Sequence, residues 1–319
     1  MRTPLALAAI AAGALVTGTA ASAEAPPPSW PSAKGQVFIA GDTVTARSKY
    51  GYVPPVLGKQ ENFFPRTAGV KFRMYAIDLK TKKVLTAKDV KYAYVTIPGQ
   101  PNVKLAYGKL GRTAGAPRLW TGTWSIPAEY PLGVVPFRIL VKTNSKRVGS
   151  FQQTPVAAAQ LTVAPEAPEG SVPPTPPSPP PTKPYPGSRV EVAMYSDTVS
   201  SSRGEVRQSR VCTQTNYFQR RSRVVFRMWA VDTRTGEPLT PLDVKYAYIK
   251  IPGQPNVGMT FGPHGSAGNR VNFWSTAWAI PADYPLGVVP FRIVVKTEDG
   301  RFGIYRQPAV DGSQLTVIP

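Results

Sequence analysis

Apolar and polar side chains alternate along residues 70–76, which read VKFRMYA. A period of two is typical of a β-strand, and it places valine, phenylalanine, methionine and alanine on one side, which we predict to face the core. A second alternating stretch, KYAYVTI at residues 91–97, ends at the turn signal PGQPN of residues 98–102. No stretch of the repeats has the period of a helix. About seven short strands per repeat predict an all-β fold, a β-sandwich.

The sequence contains an internal duplication. Residues 70–103 match residues 224–257 at a constant offset of 154, and 22 of the 34 positions are identical. Residues 124–143 match residues 278–297 at the same offset, with 17 of 20 positions identical. Self-similarity of this kind indicates two homologous domains. We predict the first domain at residues 34–164 and the second at residues 187–319.

A proline-rich segment separates the two predicted domains. Residues 165–186 include 11 prolines in 22 positions. Proline fixes φ and disfavours helix in the residue before it, so this linker is predicted to adopt polyproline II. Fully extended, it spans about 60–70 Å. It serves either as a plain spacer or as a tether that lets two weak sites engage one polymer.

The N-terminus has the composition of a secretory signal peptide. Arg2 precedes an apolar stretch at residues 5–16, and the sequence Ala-Ser-Ala at residues 21–23 has the form that signal peptidase cleaves. We predict a signal peptide at residues 1–23 and a secreted product, either extracellular or periplasmic. No other stretch approaches the roughly 18 apolar residues of a transmembrane helix, so no membrane span is predicted.

The only cysteine is Cys212, which permits no internal disulfide. Two interpretations of this residue stay open, a free thiol in a loop and an intermolecular disulfide. Each domain is therefore predicted to be stabilised by its own apolar core, which a length of about 130 residues allows.

Basic residues outnumber acidic residues. The whole chain has 38 Lys and Arg against 18 Asp and Glu, a formal net charge of +20. Residues 34–164 hold 20 basic against 5 acidic residues, and residues 185–319 hold 16 against 10. A positive field of this size favours contact with anionic polymers and raises the rate of encounter with them.

The motif W-x-I-P-A-x-Y-P-L-G occurs at residues 124–133 and again at residues 278–287, followed each time by an alternating strand. This segment resembles the late strands of bacterial immunoglobulin-like domains. The resemblance covers both predicted domains, although the Cys…Trp…Cys pattern of antibody domains is absent. It implies two tandem immunoglobulin-like β-sandwiches, and domains of that type serve as extracellular spacers, adhesive modules or carbohydrate-binding accessories.

Residues that catalysis requires are scarce. The chain has one histidine, His264, and the matching position in the first repeat is Leu110. A zinc site needs a cluster of Cys and His, and a catalytic triad needs a base beside the serine. The sequence has no such cluster and places no base near a serine. We therefore predict a non-enzymatic protein without metal or cofactor, and a hydrolase is the weaker alternative.

Four acidic positions occur in both repeats. Because each lies beside a turn-like segment, we interpret them as caps of backbone N–H groups. The alternatives are a calcium site and hydrolysis of glycosidic bonds. The four pairs are Asp42 and Asp197, Asp78 and Asp232, Asp89 and Asp243, and Glu129 and Asp283.

Tyrosines and basic residues are predicted to share an outer sheet face in each domain. If Ala93 and Val95 face the core, the tyrosines on either side of Ala93 point outward, and neighbouring strands of an immunoglobulin-like sandwich bring Arg and Lys beside them. Tyrosine rings stack on sugars or bases, while Arg and Lys pair with phosphate or carboxylate. The predicted ligand-binding residues are Tyr92, Tyr94, Arg138, Lys142, Tyr246, Tyr248, Arg292, Lys296, and Arg220 and Arg221 of an arginine-rich segment. Alternatively, tyrosine and cation satisfy each other on the sheet surface, and the arginine-rich segment is a solvated loop.

Together these features favour a non-catalytic secreted protein that binds an anionic polymer. The candidate partners are an envelope polymer, an acidic polysaccharide or nucleic acid. A structural or spacer subunit that contacts another extracellular protein is the alternative.

Overall fold

The computed structural model describes residues 36–111, 116–154, 156, 159–165, 190–206, 211–265, 270–310 and 312–319. The predicted signal peptide lies outside these residues, and so does the predicted linker except for Pro165. No helix occurs within the described ranges, and 23 strands do.

Residues 36–165 form twelve of these strands. They are β1 (Val37–Ala46), β2 (Phe63–Pro65), β3 (Gly69–Asp78), β4 (Lys83–Val84), β5 (Val90–Thr96), β6 (Val103–Lys104), β7 (Ala106–Lys109), β8 (Arg118–Ser125), β9 (Gly133–Val134), β10 (Arg138–Thr143), β11 (Val148–Gln152) and β12 (Thr162–Ala164).

Residues 190–319 form the other eleven strands. They are β13 (Val192–Ser200), β14 (Tyr217–Gln219), β15 (Arg223–Asp232), β16 (Val244–Lys250), β17 (Val257–Gly258), β18 (Thr260–His264), β19 (Val271–Ala279), β20 (Gly287–Val288), β21 (Arg292–Thr297), β22 (Phe302–Arg306) and β23 (Thr316–Ile318).

Each half of the chain is a β-sandwich. In the first half one sheet has the order β1-β3-β8-β7, with β4 also paired to β3, and the facing sheet has the order β11-β10-β5-β6. The second half repeats this with β13-β15-β19-β18 and β17-β16-β21-β22. This is the strand order of an immunoglobulin-like sandwich, in which strands A, B, E and D face strands C, F and G. The predicted all-β fold class, two homologous immunoglobulin-like sandwiches, is confirmed.

The predicted alternation gives the inner face of each sandwich. Phe72 on β3 has no exposed surface, and its ring centroid lies 5.0 Å from that of Phe137 in the facing layer. Phe226 and Phe291 repeat the contact at 4.9 Å in the second half. The residues of β3 that alternate with these, among them Arg73 and Tyr75, were expected on the outer face, and both do point away from this core.

That outer face is not exposed to solvent. Arg73 and Tyr75 on β3 are 2% and 6% exposed, and their counterparts on β15, Arg227 and Trp229, are both 3% exposed. The reason is that the second sandwich covers the first here. One cluster of buried apolar residues joins the first core to outward-facing residues of the second sandwich: Ala193, Tyr195, Trp229, Val231 and Phe273.

The contact between the sandwiches has approximate two-fold symmetry. Asn62 Oδ1 accepts a hydrogen bond from the backbone N–H of Gln214 at 2.9 Å, and Asn216 Oδ1 accepts one from the backbone N–H of Gln60, also at 2.9 Å. Both pairs are related by the offset of 154, so each domain presents the same surface to the other, as in an isologous dimer. Between the two asparagines, Glu61 and Thr215 form an antiparallel β-bridge.

Further polar contacts cross this interface. The Tyr75 hydroxyl donates to the carbonyl of Met194, and Lys82 pairs with Glu191 at 2.6 Å. These contacts and the shared apolar cluster join the two sandwiches directly.

Candidate functional site

The outer face of the sheet β11-β10-β5-β6 brings the predicted residues of the first domain together. We call this surface the first tyrosine face. Tyr92 lies directly opposite Lys142, Tyr94 opposite Leu140, and Thr96 opposite Arg138. The pleat puts all of these on one side, since Val95 and Ile139 between them have no exposed surface. Tyr92 is 41% exposed.

The second tyrosine face is the outer face of β16, β21 and β22. Here Tyr246 lies opposite Lys296, Tyr248 opposite Val294, and Lys250 opposite Arg292. Tyr246 is 38% exposed, close to the value for Tyr92. The eight predicted residues of the strands therefore form two equivalent sets of four.

The tyrosines of each face lie side by side. The ring centroids of Tyr92 and Tyr94 are 5.5 Å apart with an interplanar angle of 38°, and those of Tyr246 and Tyr248 are 5.7 Å apart at 37°. Lys142 Nζ lies 6.0 Å from the Tyr92 centroid, so the alternative cation–π contact is also present. In the second domain Lys296 Nζ instead lies 5.1 Å from the ring of Phe302.

The strands of both faces carry basic residues and no acidic residue. In the first domain β5, β6, β10 and β11 contain Lys91, Lys104, Arg138 and Lys142. In the second, β16, β17, β21 and β22 contain Lys245, Lys250, Arg292, Lys296 and Arg306. Positive charge without opposing carboxylates on the same sheet favours anionic ligands.

Arg220 and Arg221 do not belong to the second tyrosine face. They lie between β14 and β15, where Arg220 Nε donates to the carbonyl of Tyr284 at 2.6 Å. Arg66 makes the same bond to Tyr130 at 2.8 Å, so this arginine holds a loop in both domains. Arg221 is exposed and reaches Glu205 only at 3.7 Å. The repeat offset of 154 relates Arg66 to Arg220.

Two of the four acidic pairs cap turns as predicted. Asp89 accepts from the backbone N–H of Thr86 at 2.8 Å, and Asp243 accepts from that of Thr240 at 2.9 Å. Asp78 caps Lys80 at 3.0 Å, and Asp232 caps Arg234 at 2.8 Å.

Asp232 also pairs with arginines. Burial raises its pKa, but hydrogen bonds from Arg234 and Arg301 outweigh burial and leave the pKa below its usual value.

The interpretation of Asp42 and Asp197 as turn caps is wrong. Both lie inside long strands, and each forms an ion pair with the residue opposite: Asp42 with Arg73, partly buried, and Asp197 with Arg227, buried. Sequence alone does not reveal the partner, because it comes from strand pairing. Glu129 and Asp283 are exposed. Among the described residues no group of three or more His, Cys, Asp or Glu is placed to hold a metal ion.

His264 has a packed environment on the edge of the sheet. Its Nε2 lies 3.1 Å from Ser275 Oγ, and its ring stacks on Phe273 with the centroids 3.9 Å apart. Sequence reasoning missed this Ser–His pair, since β18 and β19 pair only in the fold. No carboxylate within the described ranges hydrogen-bonds to His264, and a serine nucleophile needs its histidine oriented by a third group.

Replacing His264 by leucine, the residue at the matching position 110, is expected to reduce the loss of stability in mild acid. Burial lowers the pKa of His264, and the charge of Arg227 lowers it further. As pH falls through about 6.5, His264 is protonated in the unfolded chain before it is protonated in the folded protein. The free energy of unfolding therefore decreases until the pH reaches the lower pKa of His264 in the folded protein. Melting temperatures of both proteins between about pH 7.5 and about pH 5 test this. Parallel curves would contradict it.

Residues of β22 were missed by the sequence analysis. Phe302 and Ile304 are 48% and 37% exposed on the second tyrosine face, and Arg306 lies opposite Arg292. Gly303 holds β22 against β13, since a Cβ there would meet Val192 Cβ at 2.8 Å. The alternation in FGIYR at residues 302–306 was the available signal.

Cys212 is a free, exposed thiol in the structure. No helix in the described part of the chain is long and apolar enough to cross a membrane.

Comparisons with known proteins give structural matches only. No model of a known family and no curated protein matches the chain. Among solved structures the chain is similar to fibronectin(III)-like modules of Clostridium thermocellum CbhA, at 8% identity and a TM-score of 0.18, covering 81% of this chain and 90% of that one. It is also similar to the IG1+IG2 segment of DIP-gamma, at 9% identity and a TM-score of 0.18, covering 87% and 98%. The strand order of both halves by itself is that of an immunoglobulin-like sandwich.

Proposed function

We propose that this protein is a non-catalytic, secreted binding protein whose two tyrosine faces attach to an anionic polymer. One observation carries the proposal: in both domains a tyrosine pair and basic residues share a solvent-facing sheet surface whose strands hold no carboxylate. The predicted signal peptide supports action outside the cytoplasm.

Basic residues and tyrosines contribute different interactions with an anionic polymer. Neutralising the charges of a polyanion releases its counterions, so the affinity falls steeply as salt rises. Tyrosine rings add stacking on sugars or bases, which contributes about 1–3 kcal/mol per stacked base in proteins that bind single strands. An anionic polymer with cyclic units therefore fits both features.

Removing one tyrosine and one lysine from each face is expected to weaken polymer binding at least tenfold. The variant combines Tyr92→Ala and Lys142→Gln with Tyr246→Ala and Lys296→Gln. Retention on immobilised polyphosphate, an acidic polysaccharide and single-stranded DNA at about 50 and about 300 mM salt is the measurement.

The matched control lies off both faces. Lys49 Nζ lies 4.9 Å over the ring of Tyr50, which is 47% exposed, so Lys49→Gln with Tyr50→Ala removes the same two residue types. The control is expected to bind like the wild type. Salt-insensitive retention, equal loss in the control, or no retention of the wild type on any of the three polymers would refute the proposal.

A structural role in an extracellular assembly is the second candidate. Phe302 and Ile304 expose apolar surface on β22, which is an edge strand of its sheet, and edge strands are common sites of pairing with another chain. Under this function, Phe302→Ser would abolish a stable oligomer or a co-purifying protein seen by size exclusion with light scattering. A monomeric wild type without a co-purifying protein favours the polymer-binding function.

A further inference from the structure

Three cations lie in one cross-strand row on the second tyrosine face. Lys250 on β16 is directly opposite Arg292 on β21, and Arg292 is directly opposite Arg306 on β22. Their side chains share the outer side, because Ile249, Ile293 and Tyr305 beside them are all buried. We call these three residues the cationic row.

The row has no counter-charge within the described part of the chain. None of its residues takes part in an ion pair with another described residue. Like charges directly opposite on neighbouring strands destabilise a sheet. An anion bound across the row would remove this repulsion.

The first domain has a different row at the same place. Thr96 is opposite Arg138, and Arg138 is opposite Gln152. With its amide in the orientation that pairs both groups, Gln152 accepts a hydrogen bond from Arg138 Nε at 2.9 Å. In the first domain, Arg138 thus lies opposite a neutral side chain with which it forms a hydrogen bond. In the second domain, the three positive charges lie opposite one another. The two faces are therefore equivalent in their tyrosines and different in their rows.

We propose that the cationic row binds a phosphate group of the polymer and makes the second tyrosine face the stronger of the two sites. This inference rests on the proposed function. A phosphate within a polymer carries one full negative charge on two non-bridging oxygens, and a terminal phosphate carries up to two charges on three oxygens. Because the oxygens of a phosphate are arranged tetrahedrally, donors from all three side chains can approach them from different directions. The two oxygens of a carboxylate lie in one plane, and a single arginine engages both.

The next row of the face extends the site. Tyr248, Val294 and Ile304 lie opposite one another, adjacent to the cationic row. The ring of Tyr248 gives a flat apolar surface beside the phosphate position, on which the unit that carries the phosphate rests. The site thus combines a charge-assisted anchor with a stacking surface.

Exchanging one residue between the rows tests this proposal. Arg306→Gln gives the second domain the glutamine of the first, and Gln152→Arg gives the first domain the arginine of the second. Loss of a charge-assisted hydrogen bond is expected to weaken binding of polyphosphate about tenfold in Arg306→Gln. Adding Gln152→Arg to that variant is expected to restore most of the affinity. Polyphosphate titrated into the full chain by calorimetry is the measurement.

Other probes identify the chemistry and the source of the phosphate. Polyglutamate supplies carboxylates at similar charge density, and its binding is expected to be weaker and unchanged by Arg306→Gln. A single-stranded oligonucleotide that binds more tightly than polyphosphate would assign the phosphate to nucleic acid, and the reverse order would assign it to a base-free polymer. Equal loss of polyglutamate and polyphosphate binding in Arg306→Gln would overturn the phosphate assignment.

A measurement without polymer separates this inference from the proposed function. Inorganic phosphate is expected to raise the melting temperature of the wild type relative to chloride at equal ionic strength, and to raise that of Arg306→Gln less. If the wild type and the variant respond alike, the cationic row is not a phosphate site, even where the tyrosine variants still lose polymer binding.

Discussion

Changing Asp197 to alanine is expected to destabilise the protein by about 3–5 kcal/mol, because it leaves the charge of Arg227 buried without its partner. Arg227 Nε donates to Asp197 Oδ1 at 2.7 Å, and the two residues are 3% and 5% exposed. Burial lowers the pKa of Arg227, but the charge and hydrogen bonds of Asp197 outweigh burial, so the guanidinium stays charged. Unfolding in urea, followed by fluorescence, measures the loss.

Two further variants distinguish the cost of leaving the Arg227 charge unpaired from the cost of losing an ion pair as such. Asp197→Leu with Arg227→Met replaces the whole pair by apolar side chains and is expected to recover most of the stability, because no uncompensated charge remains. Glu205→Gln removes one partner of an exposed pair, whose side chains are 59% and 77% exposed, and is expected to change stability by less than about 0.5 kcal/mol. A double variant as unstable as Asp197→Ala would contradict this account.

Aromatic rings around Arg227 also stabilise its charged guanidinium. The guanidinium carbon lies 5.6 Å from the ring of Trp229 and 6.0 Å from the ring of Phe273, both of which belong to the contact with the first domain. A positive charge over aromatic faces is attracted to them, more so where water is excluded. The ion pair therefore lies within the apolar contact between the domains.

Sequence periodicity predicted the inner faces of the sandwiches but not what covers their outer faces. Alternation placed Phe72 inside, and it has no exposed surface. The same alternation says nothing about whether Arg73 and Tyr75 meet solvent or another domain, since a period of two is identical in both cases. One signal was present: β1 and β13 each begin with four consecutive apolar residues, VFIA and VAMY, and a continuous apolar run is typical of strands buried on both faces.

The candidate site was predictable to the extent that it depends on local pattern. Tyr92 and Tyr94 lie two residues apart on one strand, so the pleat alone puts them on the same side. Their register with Lys142 and Leu140 comes from pairing of β5 with β10, which periodicity does not give. Arg306 was missed for the same reason, because its significance lies in being opposite Arg292.

Removing both interface asparagines is expected to uncouple the two domains and to destabilise the protein by about 3–5 kcal/mol. Asn216 is 1% exposed, and its side chain accepts a hydrogen bond from the backbone N–H of Gln60 and donates to the carbonyls of Gly312 and Gln314. Asn62, also 1% exposed, is its counterpart on the other side of the pseudo-two-fold axis. Alanine at both positions leaves buried backbone groups without partners, each costing about 1–3 kcal/mol.

Calorimetry distinguishes lost stability from lost coupling. The wild type is expected to unfold in one transition, since its apolar clusters join across the interface, while Asn62→Ala with Asn216→Ala is expected to show two. Thr240→Ala is a matched control, because Thr240 hydrogen-bonds Asp243 on an exposed turn away from the interface and its loss should keep one transition. Two transitions in the wild type, or one in the double variant, would mean that the reciprocal asparagines do not couple the domains. In that case the relative position of the two tyrosine faces would be set by the apolar contact of Tyr195, Trp229 and Phe273 with the first core.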